Sequence, residues 1–143
     1  VTASQDRTVR LWDVRARKCV RALSSAGVPA SSVDLSPTAN TVAAGYVDGS
    51  CVLYDITSGR PMYDFHYHTM DCHALRFSPD GRWIATASFD GTASILDMSA
   101  GAVVHNMSDH TDKVIATSWH PQWPLLLTSS TDRTVRLWSS RMT

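Results

Sequence analysis

One interval governs this chain. The segment Q-D-R-T-V-R-L-W-D runs from Gln5 to Asp13, and related segments follow at Val47–Asp55, Phe89–Asp97 and Thr131–Ser139. Their turn aspartates, Asp6, Asp48, Asp90 and Asp132, each stand 42 residues after the one before. The same interval separates Trp12, Tyr54, Leu96 and Trp138, and it separates Pro37, Pro79 and Pro121. Three landmarks of different chemistry keep one register with no insertion. A unit of this length cannot bury its apolar face alone, so repetition at this period implies stacked supersecondary units sharing a core.

Within each unit the local signals are strands. V-D-L-S-P-T-A-N, F-S-P-D-G-R and W-H-P-Q-W-P carry the Pro, Asp, Asn and Gly of tight turns. Between them lie short runs rich in Val, Ile, Leu, Thr, Tyr and Trp, which suit a pleated, buried surface. Thr86-Ala87-Ser88, Phe89-Asp90-Gly91 and Thr92–Leu96 read as strand, turn, strand, with Asp-Gly supplying the positive φ of a hairpin. No stretch keeps a 3.6-residue apolar period, so the fold class is all-β.

Composition narrows the function. At 143 residues and 43% hydrophobic the chain can bury a core, but it is not comfortably long enough for two domains. Thirteen basic residues balance thirteen acidic ones, whereas nucleic-acid binders usually need a basic excess to neutralise phosphates. No apolar run approaches the roughly 18 residues that span a bilayer, so membrane insertion is not expected. Cys19, Cys51 and Cys72 are odd in number and form no C-x-x-C pair, which suits free thiols in a reducing, cytoplasmic setting.

Short strands in units of this length, with a W-D dipeptide closing the third strand, resemble the WD40-repeat β-propeller family. T-A-S-Q-D-R-T-V-R-L-W-D and T-S-S-T-D-R-T-V-R-L-W carry the resemblance, which extends over the whole chain. It implies about three and a half four-stranded blades: a partial unit at 1–23, full units at 24–65 and 66–107, and a last unit at 108–143 without its outer strand. In this reading the chain opens on an inner strand, Val1–Ser4, and continues through Thr8–Asp13 and Lys18–Leu23. Closed propellers have four to eight blades. The expectation is therefore the C-terminal part of a seven-bladed ring whose remaining blades precede Val1. The alternative is a short product that closes by pairing with a second copy.

Several clusters invite a chemical reading. His110, Ser130 and Asp132 are the residue types of a serine hydrolase, with Ser130 as nucleophile and His110 as base. No G-x-S-x-G elbow or oxyanion hole accompanies them. The family resemblance instead implies a structural His–Ser/Thr–Asp–Trp network, placed here on His110, Ser130, Asp132 and Trp138. The third unit keeps His68, Ser88 and Asp90 with Leu96 in place of tryptophan, and the first keeps Ser4, Asp6 and Trp12. The second has Ala26, Tyr46 and Tyr54 around Asp48, and its lead-in Ser24–Ala30 reads as a flexible loop. His66, His68, Cys72 and His73 are metal-ligand types, yet their spacing fits no usual zinc pattern, and Cys72 and His73 would face opposite ways in a strand. No catalytic residue, metal or cofactor is assigned.

Propellers bind through loops around one mouth of the ring, as loops on rigid scaffolds commonly do. The resemblance places the residues before the turn aspartates there: Gln5, Val47, Phe89 and Thr131. It also places there the starts of the inner strands, Asp71 and Lys113, with Thr69 and Thr111 nearby. Phe89 reads either as an exposed aromatic anchor or as a ring folded against the next blade. At the opposite mouth Trp83, Trp123 and Arg82 lie near turns. The expected function is a non-catalytic protein-interaction scaffold or adaptor. Similarity to cytoskeleton-associated members of the family implies tubulin or microtubule-associated partners in the cytoplasm. The alternatives are a substrate-receptor propeller of a ubiquitin ligase and, third, a propeller hydrolase.

Overall fold

A computed structural model describes residues 1–24 and 27–139. It consists of four antiparallel sheets in chain order, with no helix among the described residues. The first holds β1 (Thr2–Ala3), β2 (Thr8–Asp13) and β3 (Lys18–Ser24). The second holds β4 (Ala30–Leu35), β5 (Thr41–Tyr46), β6 (Ser50–Asp55) and β7 (Pro61–His66). The third holds β8 (Ala74–Phe77), β9 (Trp83–Ala87), β10 (Ala93–Asp97) and β11 (Ala102–Met107). The fourth holds β12 (Val114–Trp119), β13 (Leu125–Ser130) and β14 (Val135–Ser139). Every sheet is a simple meander, so each strand pairs with its neighbours in sequence.

The expected count of blades takes the form of two four-stranded sheets flanked by two three-stranded ones. One strand assignment changes. Thr2–Ala3 aligns at the 42-residue interval with β5 rather than β4, so it is a second strand and not the innermost one. Of the lead-in read as a flexible loop, Ser24 closes β3, Gly27–Pro29 are irregular and Ala30 opens β4. Ala26 lies outside the described residues, as do Ser140–Thr143.

The repeat is reproduced down to its irregularities. Each complete hairpin onto an outer strand breaks register at one step, Leu11/Trp12, Leu53/Tyr54 and Ile95/Leu96, again 42 residues apart. Such bulges twist the outer strand relative to the rest of its sheet. Strands β5 and β6 are buried almost throughout because sheets pack on both their faces, whereas β7 and β11 are exposed. The core therefore lies between sheets. One cluster joins Val9 and Leu23 of the first sheet to Val42, Ala44 and Tyr54 of the second. Another joins Cys51 and Leu53 of the second to Leu75, Phe77, Ile84 and Leu96 of the third.

Adjacent sheets are also tied at one end by main-chain hydrogen bonds. The amides of Ala30, Cys72 and Val114 donate to the carbonyls of Ser4, Tyr46 and Ser88. This end carries the turn aspartates, and it positions the candidate site.

Candidate functional site

The buried network forms in the fourth sheet, with one member changed. His110 Nδ1 donates to Asp132 Oδ2 at 2.7 Å, and Nε2 meets the Thr128 hydroxyl at 2.8 Å. The Trp138 indole N–H donates to the same hydroxyl, also at 2.8 Å. The bridging group is thus Thr128, not Ser130. Ser130 Oγ instead donates to the Asp112 carbonyl and accepts from the Asp132 amide, both at 3.0 Å. The same correction holds elsewhere. Ser88 binds the Met70 carbonyl and the Asp90 amide, while Thr86 meets His68 Nε2 at 3.0 Å. Ser4 accepts from the Asp6 amide, while Trp12 donates to Thr2. Thr128 and Ser130 lie two residues apart on one strand and so share a face, and only geometry separates their roles.

Ser130 and His110 therefore do not form a hydrogen-bonded pair, because His110 Nε2 meets Thr128 and Ser130 bonds to the backbone. Each turn aspartate closes its own turn: Asp6, Asp90 and Asp132 accept the amide and hydroxyl of Thr8, Thr92 and Thr134, and Asp48 those of Ser50. The Thr134 hydroxyl, followed by His110, holds the Asp132 carboxyl well below the usual carboxylate range. Burial works to raise the Asp90 carboxyl, but bonds from Thr92, the Thr69 amide and His68 outweigh it and hold it low. Burial pushes the His68 imidazole down against the attraction of Asp90.

Two substitutes for the missing residues escaped the sequence. Leu96 cannot donate to Thr86, and the Tyr67 hydroxyl does so instead, at 3.1 Å. In the second sheet Tyr46 and Tyr54 bond hydroxyl to hydroxyl at 2.7 Å inside the core. Tyr54 stands at the tryptophan position, so a hydroxyl there was the available signal.

Four of the residues read as partner-binding converge. Phe89 is half-buried, with its ring stacked on His73 at 4.3 Å between centroids and Lys113 Nζ 5.0 Å from its centre. The Phe89 amide donates to the Asp71 carbonyl, and the Thr131 amide to that of Lys113. Asp71 Oδ2 lies 3.4 Å from His73 Nδ1, while Asp71 Oδ1 is buried without a hydrogen bond among the described residues. Phe89 packs across a sheet boundary, against Lys113 of the next sheet, and is half-buried. Thr69 is tied to Asp90 through its amide. Gln5 sits on the exposed turn of the first sheet, two sheets away.

The four possible metal ligands face different partners. His66 pairs with Asp64, His68 with Asp90 and His73 with Asp71 and Phe89, while Cys72 is buried in the core. At the opposite end Trp83 opens β9 beneath the Arg82 guanidinium, 4.8 Å away, and Trp123 is 65% exposed. Both tryptophans line an open cleft of about 980 Å³ between the third and fourth sheets.

Comparison with known proteins agrees with this geometry. The profile of the WD domain, G-beta repeat family matches residues 1–13, 17–55, 59–97 and 101–139. The chain is 31% identical over 72 residues to a WD repeat-containing protein 91 homolog of Dictyostelium discoideum, covering 50% of this chain and 9% of that one. It is 30% identical over 76 residues to a DENN domain and WD repeat-containing protein SCD1 of Arabidopsis thaliana, covering 53% of this chain and 6% of that one. The chain thus spans less than a tenth of the length of these relatives. Proteins built on this repeat generally serve as non-catalytic interaction scaffolds. Four matched repeats, four meander sheets and a repeated His–Asp–Thr network lead to one conclusion: the chain belongs to the WD-repeat (G-beta repeat) family.

Proposed function

We propose that this chain is a non-catalytic scaffold whose partner docks on the loop end around Phe89. The observation that carries this reading is the Phe89 ring held between His73 and Lys113 beside Asp71. Aromatic residues are enriched at protein interfaces, where a ring held by its neighbours serves as an anchor. Its main chain is pinned on both sides, so a partner meets a preformed surface and little ordering cost.

The partner class rests on a finer resemblance. V-T-A-S-Q-D-R-T-V-R-L-W-D-V-R, D-G-S-C-V-L-Y-D-I and D-K-V-I look like the C-terminal propeller of nemitin, a neuronal microtubule-associated scaffold. That supports a cytoplasmic, cytoskeletal role with tubulin as the first partner to test. The remaining blades of a seven-bladed ring would complete the platform.

The test compares the full chain with Phe89→Arg, matched for melting temperature, in binding purified tubulin. A like charge against Lys113 should disrupt the anchor, and binding should fall about tenfold or more. Equal binding by both proteins would remove Phe89 from the interface. Failure of the unaltered protein to bind tubulin would remove the cytoskeletal assignment.

A further inference from the structure

The first sheet carries a charge cluster that the others lack. No acidic residue lies between Asp13 and Asp34, and Arg15, Arg17, Lys18 and Arg21 fall within seven positions of that stretch. They occupy the β2–β3 turn and the start of β3, at the end of the sheet opposite the turn aspartates. Where this turn has Arg15, Arg17 and Lys18, the second sheet has Thr57, Gly59 and Arg60, and the third has Ser99, Gly101 and Ala102.

The turn does not need the arginines. Asp13 Oδ1 accepts the amides of Arg15 and Ala16, as Asp97 Oδ1 accepts those of Ser99 and Ala100. Arg17 even works against it: its φ is 53°, where Gly59 has 72° and Gly101 has 61°. A left-handed backbone disfavours any side chain relative to glycine. Among the described residues Arg17 gains no hydrogen bond or ion pair in return. Arg7 and Arg133 share such a backbone, with φ of 70° and 69°, so what marks Arg17 is its place among Arg15, Lys18 and Arg21.

The cations outnumber the acidic groups beside them, Asp13 and Asp55. Arg15, Arg17, Lys18 and Arg60 are exposed, and none forms an ion pair among the described residues. Arg21 donates to the Thr57 carbonyl at 3.1 Å and lies over Gly59, which joins the Arg60 turn to the cluster. Asp13 and Asp55 accept turn amides and keep their charge, and Arg21 attracts Asp55, so a net excess of positive charge remains. Beside the cluster β3 is the outermost strand of its sheet, with a free main-chain edge flanked by exposed Val20.

We propose that the β2–β3 turn and the edge of β3 bind an extended, acidic polypeptide segment. The cations supply charge complementarity, and the strand edge offers alternating N–H and C=O groups that only another polypeptide backbone matches. Nucleic acid fits less well, because the chain as a whole is electroneutral. The site stands apart from the Phe89 face and does not depend on it.

The probe is fluorescein-labelled deca-glutamate, titrated with the full chain at two salt concentrations. The peptide should bind, and binding should weaken as salt rises. Arg15→Glu/Lys18→Glu should reduce affinity about tenfold without changing the melting temperature. Arg17→Gly should weaken binding about threefold while raising the melting temperature, a split that a purely structural residue cannot give. Phe89→Arg should bind the probe as the unaltered protein does. Unchanged binding by Arg15→Glu/Lys18→Glu overturns the proposal. So does tighter binding of a DNA oligonucleotide, or of phosphatidylserine vesicles, than of deca-glutamate.

Discussion

At Thr128 two ring nitrogens depend on one hydroxyl: Nε2 of the buried His110 and the N–H of the half-buried Trp138. Removing it leaves His110 Nε2 and the Trp138 N–H without a partner, while His110 Nδ1 keeps Asp132, at a cost of about 1 to 3 kcal/mol for a group left buried and unsatisfied. Thr128→Val keeps the shape, so urea unfolding should show a loss of about 2 to 3 kcal/mol. Ser130→Ala should cost less, about 1 kcal/mol, since Ser130 makes only main-chain bonds. The reverse order would restore Ser130 as the bridge. The aspartates, histidines and tryptophan of this network were legible in the sequence because turn chemistry and the repeat fix them. The hydroxyl was not, because T-S-S offers two on one face. His68 adds a pH dependence at the same scale. Burial lowers its folded value, while the unfolded chain takes up a proton near the ordinary value of about 6.5. Below that value the unfolded state binds more protons, so stability falls as pH falls and is fully present above it. Asp90, held low when folded, adds a second loss only within the carboxylate range. The melting temperature should therefore drop between pH 7.5 and 5.5, and His68→Asn should flatten that drop.

At the level of strands and turns, outer strands lock onto the turn of the next sheet. Arg21 of β3 lies over Gly59, and Tyr63 of β7 lies over Gly101, the same pair of positions one repeat later. Both glycines have positive φ, so alanine at either meets a backbone cost of about 1 kcal/mol. The contacts then diverge. A Cβ at Gly101 would stand 2.6 Å from the Tyr63 ring, whereas the nearest atom at Gly59 is the movable end of Arg21. Gly101→Ala should add an overpacking cost of about 1 to 3 kcal/mol that Gly59→Ala avoids. Adding Tyr63→Ala should recover part of the Gly101→Ala loss in a double-mutant cycle, and additive losses would show that the ring and the glycine do not meet. The repeated strand–turn–strand pattern followed from the 42-residue period, although Thr2–Ala3 proved to be a second strand. This locking did not, since it joins positions 38 residues apart through side chains of unlike chemistry.

Across the whole molecule the joints between sheets are unequal. Between the second and third sheets Tyr63, Phe65 and Tyr67 form an aromatic ladder, with centroids 5.8 and 6.4 Å apart. One repeat later the same positions hold His105, Met107 and Asp109. The large core cluster backed by Phe65 and Tyr67 gives way to Ala87, Ala93 and Val114 backed by Met107. What the ladder fills at one joint is left as a cleft of about 980 Å³ at the next, lined by Met107, Trp119, Trp123 and Trp138. Sequence periodicity predicts equivalent sheets, but not this difference, which depends on volumes meeting across a boundary. If the cleft reflects the shortened ladder, restoring one rung should strengthen the joint. Met107→Phe copies Phe65 and exchanges a flexible chain for a ring that can pack on Trp119. Filling space of this kind adds about 0.5 to 2 kcal/mol, so the urea midpoint should rise. Tryptophan emission should shift to shorter wavelength as the ring displaces water from the cleft. Phe65→Met should act oppositely, opening the second joint and lowering the midpoint. If Met107→Phe instead lowers the midpoint, the fourth sheet is already seated as closely as its tryptophans allow, and the cleft is a consequence of their bulk.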